Sequence, residues 1–157
     1  MEPTDILLIV VIIAAIFLLI YFLFRNSFST ISLKEYIRKN SDLGFKLEGK
    51  DYFIEIKDTK YKIIFFIGGS NYEVTLNSYT VWEIREGQRI SLRYLDKMLK
   101  DEYLKIVVVV GSNSKIKRYI NENEIEFVER NQLINNTYFC LIDELKLLVD
   151  ELKNEEI

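Results

Sequence analysis

Leu104-Lys105-Ile106-Val107-Val108-Val109-Val110, closed by Gly111, is the stretch on which the fold turns. An apolar, β-branched run of this length ended by glycine predicts a strand covered on both faces. Toward the N-terminus the chain repeats a shorter theme in the runs FKLEG, DYFIEIK, YKIIFFI, YEVTL and YTVWEIR. Turn-forming clusters divide them at Gly49-Lys50-Asp51, Asp58-Thr59-Lys60, Gly68-Gly69-Ser70-Asn71 and Asn77-Ser78-Tyr79, so these strands should be mostly antiparallel. Between this block and the central run, Leu92, Leu95 and Leu99 recur at helical spacing and predict a helix over residues 90–102. Beyond Gly111, residues 114–123 predict a helix and Glu124-Ile125-Glu126-Phe127-Val128 a strand. A closing helix is expected from Tyr138 to about Lys153, with Leu141, Ile142, Leu145, Leu148, Val149 and Leu152 on one side. No internal repeat or low-complexity segment stands out. The expected fold class is α/β, a mixed-sheet α/β sandwich whose second half is built from parallel crossovers.

The N-terminus carries a different signal. The run ILLIVVIIAAIFLLIYFLF, residues 6–24, has no charge, glycine, proline or amide. As a helix it covers roughly 28 Å, about the hydrocarbon thickness of a bilayer. A single transmembrane helix is therefore expected, with the lipid bilayer as a partner. A cleaved signal peptide would need a basic leader and small residues at its exit, whereas the leader is MEPTD and the exit YFLFRN. Glu2 and Asp5 precede the run, and Arg25, Lys34, Arg38 and Lys39 follow it, which places the N-terminus outside and the C-terminal domain in the cytoplasm. The expected organisation is an anchor over residues 1–25, a short tether over 26–32 and a cytoplasmic α/β domain over 33–157. Ser32 with Glu35 forms a capping-box pattern that opens a helix through about Asn40.

Composition excludes several chemistries. With no histidine and one cysteine, Cys140, the chain can assemble neither a Ser-His-Asp or Cys-His site nor a conventional zinc site, and it can form no internal disulfide. The single cysteine suits a reducing compartment, against which the sequon Asn135-Asn136-Thr137 is a weak counter-signal. A formal net charge of −3 gives no general grip on nucleic acid. The charge is uneven, however: basic residues prevail in 25–118 and acidic ones in 119–157, so the basic half adjoins the membrane. The Gly68 and Gly111 loops resemble phosphate cradles in composition only, lacking the P-loop Lys-Ser/Thr and the spaced dinucleotide glycines. Trp82 and the tyrosines fall within the apolar patterns and read as core and sheet-face residues.

From Gly68 onward, GGSNYEVTL, YTVWEIRE, ISLRYLDKML and KIVVVVGSNSKIKRYINENEIEFVERNQLI follow one another in an order that resembles the core of the restriction-endonuclease-like superfamily, in particular Mrr-type and nuclease-related domains. The resemblance covers roughly residues 68–134. It implies a metal-dependent phosphodiesterase in which carboxylates on adjacent strands hold a hard cation such as Mg2+ and a lysine stabilises charge or positions the nucleophile. By position, Glu73 stands for the first acid, Glu83 for the second and Arg85 for the lysine, with Glu73 and Glu83 the metal ligands. Two of these depart from the pattern: Glu73 is longer than the usual aspartate, and Arg85 is a planar, permanently charged group where a compact ammonium is usual. Weak or absent activity on nucleic acid is expected. Glu55-Ile56-Lys57, preceded by Asp42, offers a second register that is followed by strands rather than a helix.

On the helix predicted after Glu83, Arg89, Arg93, Lys97 and Lys100 fall within about 80° of one another. Such a stripe suits phosphates of a nucleic acid or of lipid headgroups, or is an ordinary solvated face interleaved with Asp96 and Asp101. Beside the nuclease-like reading stand a non-catalytic module that holds a protein partner at the membrane, the partner's identity unknown, and a pilin-like or viral structural subunit.

Overall fold

The computed structural model describes residues 11–18, 33–69, 71–111 and 113–154. Two compact units result, Met1–Ser41 and Asp42–Ile157. In the first, residues 11–18 and 33–39 are helical. The second of these helices stops where the Asn40 amide and side chain both donate to the Tyr36 carbonyl, which satisfies a carbonyl that the helix end would orphan. The remainder of the apolar run over residues 6–24, and Ser32, the expected cap of the helix over 33–39, lie outside the described residues. Among the described residues no helix is long and apolar enough to cross a membrane.

The second unit is built from strands β1 (Lys46–Glu48), β2 (Asp51–Ile56), β3 (Thr59–Ile67), β4 (Tyr72–Leu76), β5 (Val81–Glu86), β6 (Arg89–Tyr94), β7 (Leu104–Val110), β8 (Lys115–Asn121), β9 (Glu124–Phe127) and β10 (Thr137–Leu141). They form two mixed five-stranded sheets, ordered β1-β2-β3-β7-β10 and β6-β5-β4-β8-β9. As the run LKIVVVV predicts, β7 is an interior strand, parallel to both neighbours, β3 and β10, and Ile106 to Val109 are wholly buried. Its Val107 and Val109 face the second sheet, joining Ile64, Phe139, Val74, Trp82 and Ile84 in the inter-sheet core. Ile106 and Val108 point the other way, where Ile54, Ile56 and Cys140 are also buried. The closing helix Leu145–Asn154 packs there on β2 and β10 through its buried Leu145, Leu148, Val149 and Leu152.

Three predicted helices are corrected. Residues 90–102 form β6 and then a single helical turn, Asp96–Leu99. The cause is a two-residue turn: Gly87, at φ 59, occupies its first position, Glu86 pairs with Arg89, and the chain returns antiparallel along β5. Residues 114–123 form β8, with Ile116 turned into the core and Lys115 and Lys117 out of it. The closing helix begins at Leu145 rather than Tyr138, because Thr137–Leu141, rich in β-branched and aromatic side chains, completes the first sheet as β10. No helix connects β7 to β8, so the expected helix-linked crossovers are replaced by strands passing directly from one sheet to the other.

Those passages reveal a repeat that inspection of the sequence overlooks. β3 turns into β4 through Gly68, Gly69 and Asn71, and β7 into β8 through Gly111 and Asn113, with both asparagines left-handed at φ 56 and 53. β3 runs parallel to β7 in one sheet and β4 to β8 in the other, so the two bent strands lie side by side through both layers. At the corner the Gly68 amide donates to the Val110 carbonyl at 2.9 Å. A Cβ on Gly68 would collide with the Tyr72 ring, and one on Gly111 would lie 2.6 Å from the Gly69 carbonyl oxygen. Glycine is required here by close approach.

Candidate functional site

Glu73, Glu83 and Arg85 come together on one face. Tyr72, Val74 and Leu76 point into the core from β4, and Trp82 and Ile84 from β5. The intervening residues therefore project from the outer face of the second sheet. Across that face the register sets out two rows, Ile90, Arg85, Glu73 and Lys115, then Leu92, Glu83, Thr75, Lys117 and Phe127, followed by the separate pairs Tyr94–Val81 and Tyr119–Ile125. Glu73 is thus flanked by Arg85 on one side and Lys115 on the other, and its Oε2 accepts from Lys117 Nζ at 3.1 Å. Arg85 in turn lies 3.5 Å from Glu83 Oε1. Each carboxylate already has a cation beside it: Glu73 with Lys117 and Glu83 with Arg85 balance as two pairs, and Lys115 adds one further positive charge beside Glu73.

This arrangement bears directly on Mg2+. A hard divalent ion needs several oxygen ligands free to turn toward one point. On this open face Glu73 and Glu83 are each turned to a cationic side chain, and a metal would have to displace Lys117 and Arg85 to reach them. Among the described residues no group of three or more acidic or cysteine side chains converges on a metal-sized position. The present donor set therefore does not fit the ion. In the second register, Glu55 is bonded to Lys46 at 2.5 Å, which holds its carboxyl below the usual range, and Asp42 is bonded to Lys146.

Around the charged centre lies an apolar border. Ile90, Leu92 and Tyr94 on β6 and Tyr119, Ile125 and Phe127 on β8 and β9 are all exposed, Tyr94 at 72 % and Phe127 at 65 %. Lys117 links border and centre, its ammonium 5.7 Å from the Phe127 ring centroid.

The basic stripe is divided. Arg89 and Arg93 share the opposite face of β6, about 13 Å apart at strand rise, and line a cleft of about 320 Å³ with Tyr72, Glu86 and Ser91. Glu86 is committed there, accepting from the Gly69 amide at 2.9 Å, while burial, opposed by Arg93, pushes the Tyr72 hydroxyl up. Lys97 lies on the helical turn and Lys100 just after it, so the four do not form one stripe. A second cleft, of about 280 Å³, lies between the sheets beside Tyr79, Trp82, Arg118 and Asn135, but Arg118 is paired with Glu126.

Two groups escaped the sequence reading. Lys117, the partner of Glu73, is brought in by the parallel β4–β8 pairing. Lys105 is fully buried in β7 and donates to the carbonyls of Asp101 and Tyr103. Its lone charge inside the otherwise apolar run was the available signal.

No family model, curated protein or solved structure matches the chain. The restriction-endonuclease-like resemblance thus rests on the quoted motifs alone.

Proposed function

We propose that this protein is a membrane-tethered, non-catalytic interaction module that presents the outer face of its second sheet to a protein. The observation that carries this reading is the two compensated pairs, Glu73 with Lys117 and Glu83 with Arg85, bordered by exposed Ile90, Leu92, Tyr94, Tyr119, Ile125 and Phe127. Exposed aromatic side chains are enriched at protein interfaces, and the charges here are largely compensated, whereas a nucleic-acid surface carries a clear positive excess. Support for the tether comes from residues 11–18, where Val11, Ile12, Ile13, Ile16, Phe17 and Leu18 are all exposed and need an apolar surrounding such as a lipid bilayer.

The nuclease-like reading keeps one observation in its favour: Glu73, Glu83 and Arg85 do share a face. Metal-dependent cleavage of DNA and RNA by the purified full chain, beside Glu83→Gln and Arg85→Lys, separates the two readings. Absence of cleavage in every variant, together with no calorimetric Mg2+ binding, is the expected result. Robust cleavage by the wild type that Glu83→Gln abolishes would overturn the proposal and restore an enzyme.

A further inference from the structure

β6 is the long, unprotected edge of the second sheet, and we propose that it pairs antiparallel with β6 of a second copy of this chain about a two-fold axis at Leu92. The inference rests on the edge itself and stands apart from the reading of the outer face. Among the described residues no strand pairs with the outer edge of β6. The other edge of the same sheet, β9, is shorter and its pairing with β8 is interrupted between Tyr119 and Asn121, the kind of irregularity that blunts an edge. The β5–β6 ladder has no such break.

The direction of the backbone groups follows from the hairpin. Glu86 and Arg89 flank its two-residue turn as a mutually bonded pair, and the Leu95 amide donates to the Thr80 carbonyl at 2.8 Å. Residues 89, 91, 93 and 95 therefore turn their backbone groups toward β5, and Ile90, Leu92 and Tyr94 turn theirs to the free edge. A second β6 can bond to this edge only by setting even-numbered residues opposite even-numbered ones, which also keeps the apolar side chains of both copies on one face.

Charge selects the register. Centring the pair on Ser91 would set Arg89 opposite Arg93 of the second copy, and centring it on Arg93 would set that arginine opposite itself, both unfavourable. With the axis at Leu92, Ile90 faces Tyr94 of the second copy, Leu92 faces its equivalent, and Arg93 faces the Ser91 hydroxyl. Arg89 then falls opposite Leu95, next to Asp96. The two second sheets become one continuous sheet through both copies, and the two-fold axis closes the assembly as a dimer rather than a filament.

Light scattering and thiol crosslinking on the full chain in detergent test this. Leu92→Pro removes an amide hydrogen that points away from β5, and proline is tolerated on such an edge, so the variant should keep its fold and weaken the dimer about tenfold or more. Leu92→Cys should crosslink readily to its symmetry mate, since the paired Cα atoms would be about 5.5 Å apart, whereas Arg89→Cys, far from the axis, should not; native Cys140 is buried and does not interfere. A monomeric wild type, a dimer indifferent to Leu92→Pro, or crosslinking at Arg89→Cys as strong as at Leu92→Cys would overturn the proposal, and capture of a different protein's strand at this edge in place of a second copy would do so as well.

Discussion

Lys105 enters the first sheet only 1 % exposed, and its ammonium closes the loop before β7 by donating to the Asp101 and Tyr103 carbonyls at 2.9 and 2.7 Å. It also lies 2.9 Å from Asp101 Oδ1, an ion contact without hydrogen-bond alignment. Lys62 meets the same aspartate at 2.8 Å and Asp51 at 2.9 Å, so two strands and a loop are joined through one carboxylate. Burial works against the charges of both Asp101 and Lys62, but their mutual bonds, with those to Lys105 and Asp51, outweigh it. Asp101 is held below the usual carboxylate value and Lys62 above the usual lysine value. The lowered aspartate contributes stability that is present above its unfolded value near 3.9 and lost as pH falls through the folded one. The raised lysine contributes stability present below its unfolded value near 10.4 and lost as pH rises through the folded one. Thermal unfolding across pH should therefore show a plateau that declines at both ends, with Asp101→Asn lowering the plateau and flattening both declines. Unchanged declines in that variant would assign them to other groups. Lys105→Met, which removes the donor to the Asp101 and Tyr103 carbonyls and one of the two ammonium groups beside the Asp101 carboxylate, should cost about 3 kcal/mol by chemical denaturation.

At the scale of elements, the closing helix is the lid of the face that carries Ile54, Ile56, Ile106, Val108 and Cys140. Leu148 and Val149 are wholly buried in it, and Leu148→Ala should lower stability by about 3 kcal/mol. Cys140 reports on the same lid: burial first, then the Glu144 and Asp143 carboxylates, push its thiol up, so it should resist alkylation in the native full chain and react when the helix is weakened. Equal labelling rates in wild type and Leu148→Ala would show that the helix does not protect it. These elements also show what the sequence made legible. The runs that became β1 to β5, β7 and β9 carry period-two or unbroken apolar patterns between turn residues, which local reading resolves. β6 escaped because residues four apart share a face in a helix and in a strand alike, so Arg89 and Arg93 could not discriminate between them; the alternation of Ile90, Ser91, Leu92, Arg93 and Tyr94 could. β10 escaped because Leu141 falls in phase with the leucines of the helix that follows. Of the candidate site, the shared face of Glu83 and Arg85 was readable from their two-residue spacing on one strand, but Glu73 joins them only through the β4–β5 register, and Lys117, 44 residues from Glu73, arrives through a parallel pairing that no local pattern announces.

For the whole molecule, the decisive asymmetry lies at the N-terminus, where Glu2 and Asp5 stand before the apolar run and Arg25, Lys34, Arg38 and Lys39 after it. Basic residues within about fifteen to twenty positions of a span resist translocation, whereas acidic ones contribute little, so the strand-rich unit should remain on the cytoplasmic side. The turn at Asn135-Asn136 provides an internal reporter of this topology. Both asparagines are left-handed, at φ 50 and 59, and form a two-residue hairpin turn in which Ile134 and Thr137 exchange backbone bonds. Asn135 is exposed, while the Thr137 that completes the sequon is 2 % exposed at the start of β10. A buried Thr137 hinders modification after folding, so absence of glycan alone does not decide the side, and protease accessibility is needed beside it. In intact cells, protease added outside should leave the full-length band unchanged, and it should cut the strand-rich unit only once the membrane is permeabilised. Digestion from outside, or a glycan on Asn135 removable by glycosidase, would place that unit on the opposite face and reverse the orientation drawn from the flanking charges.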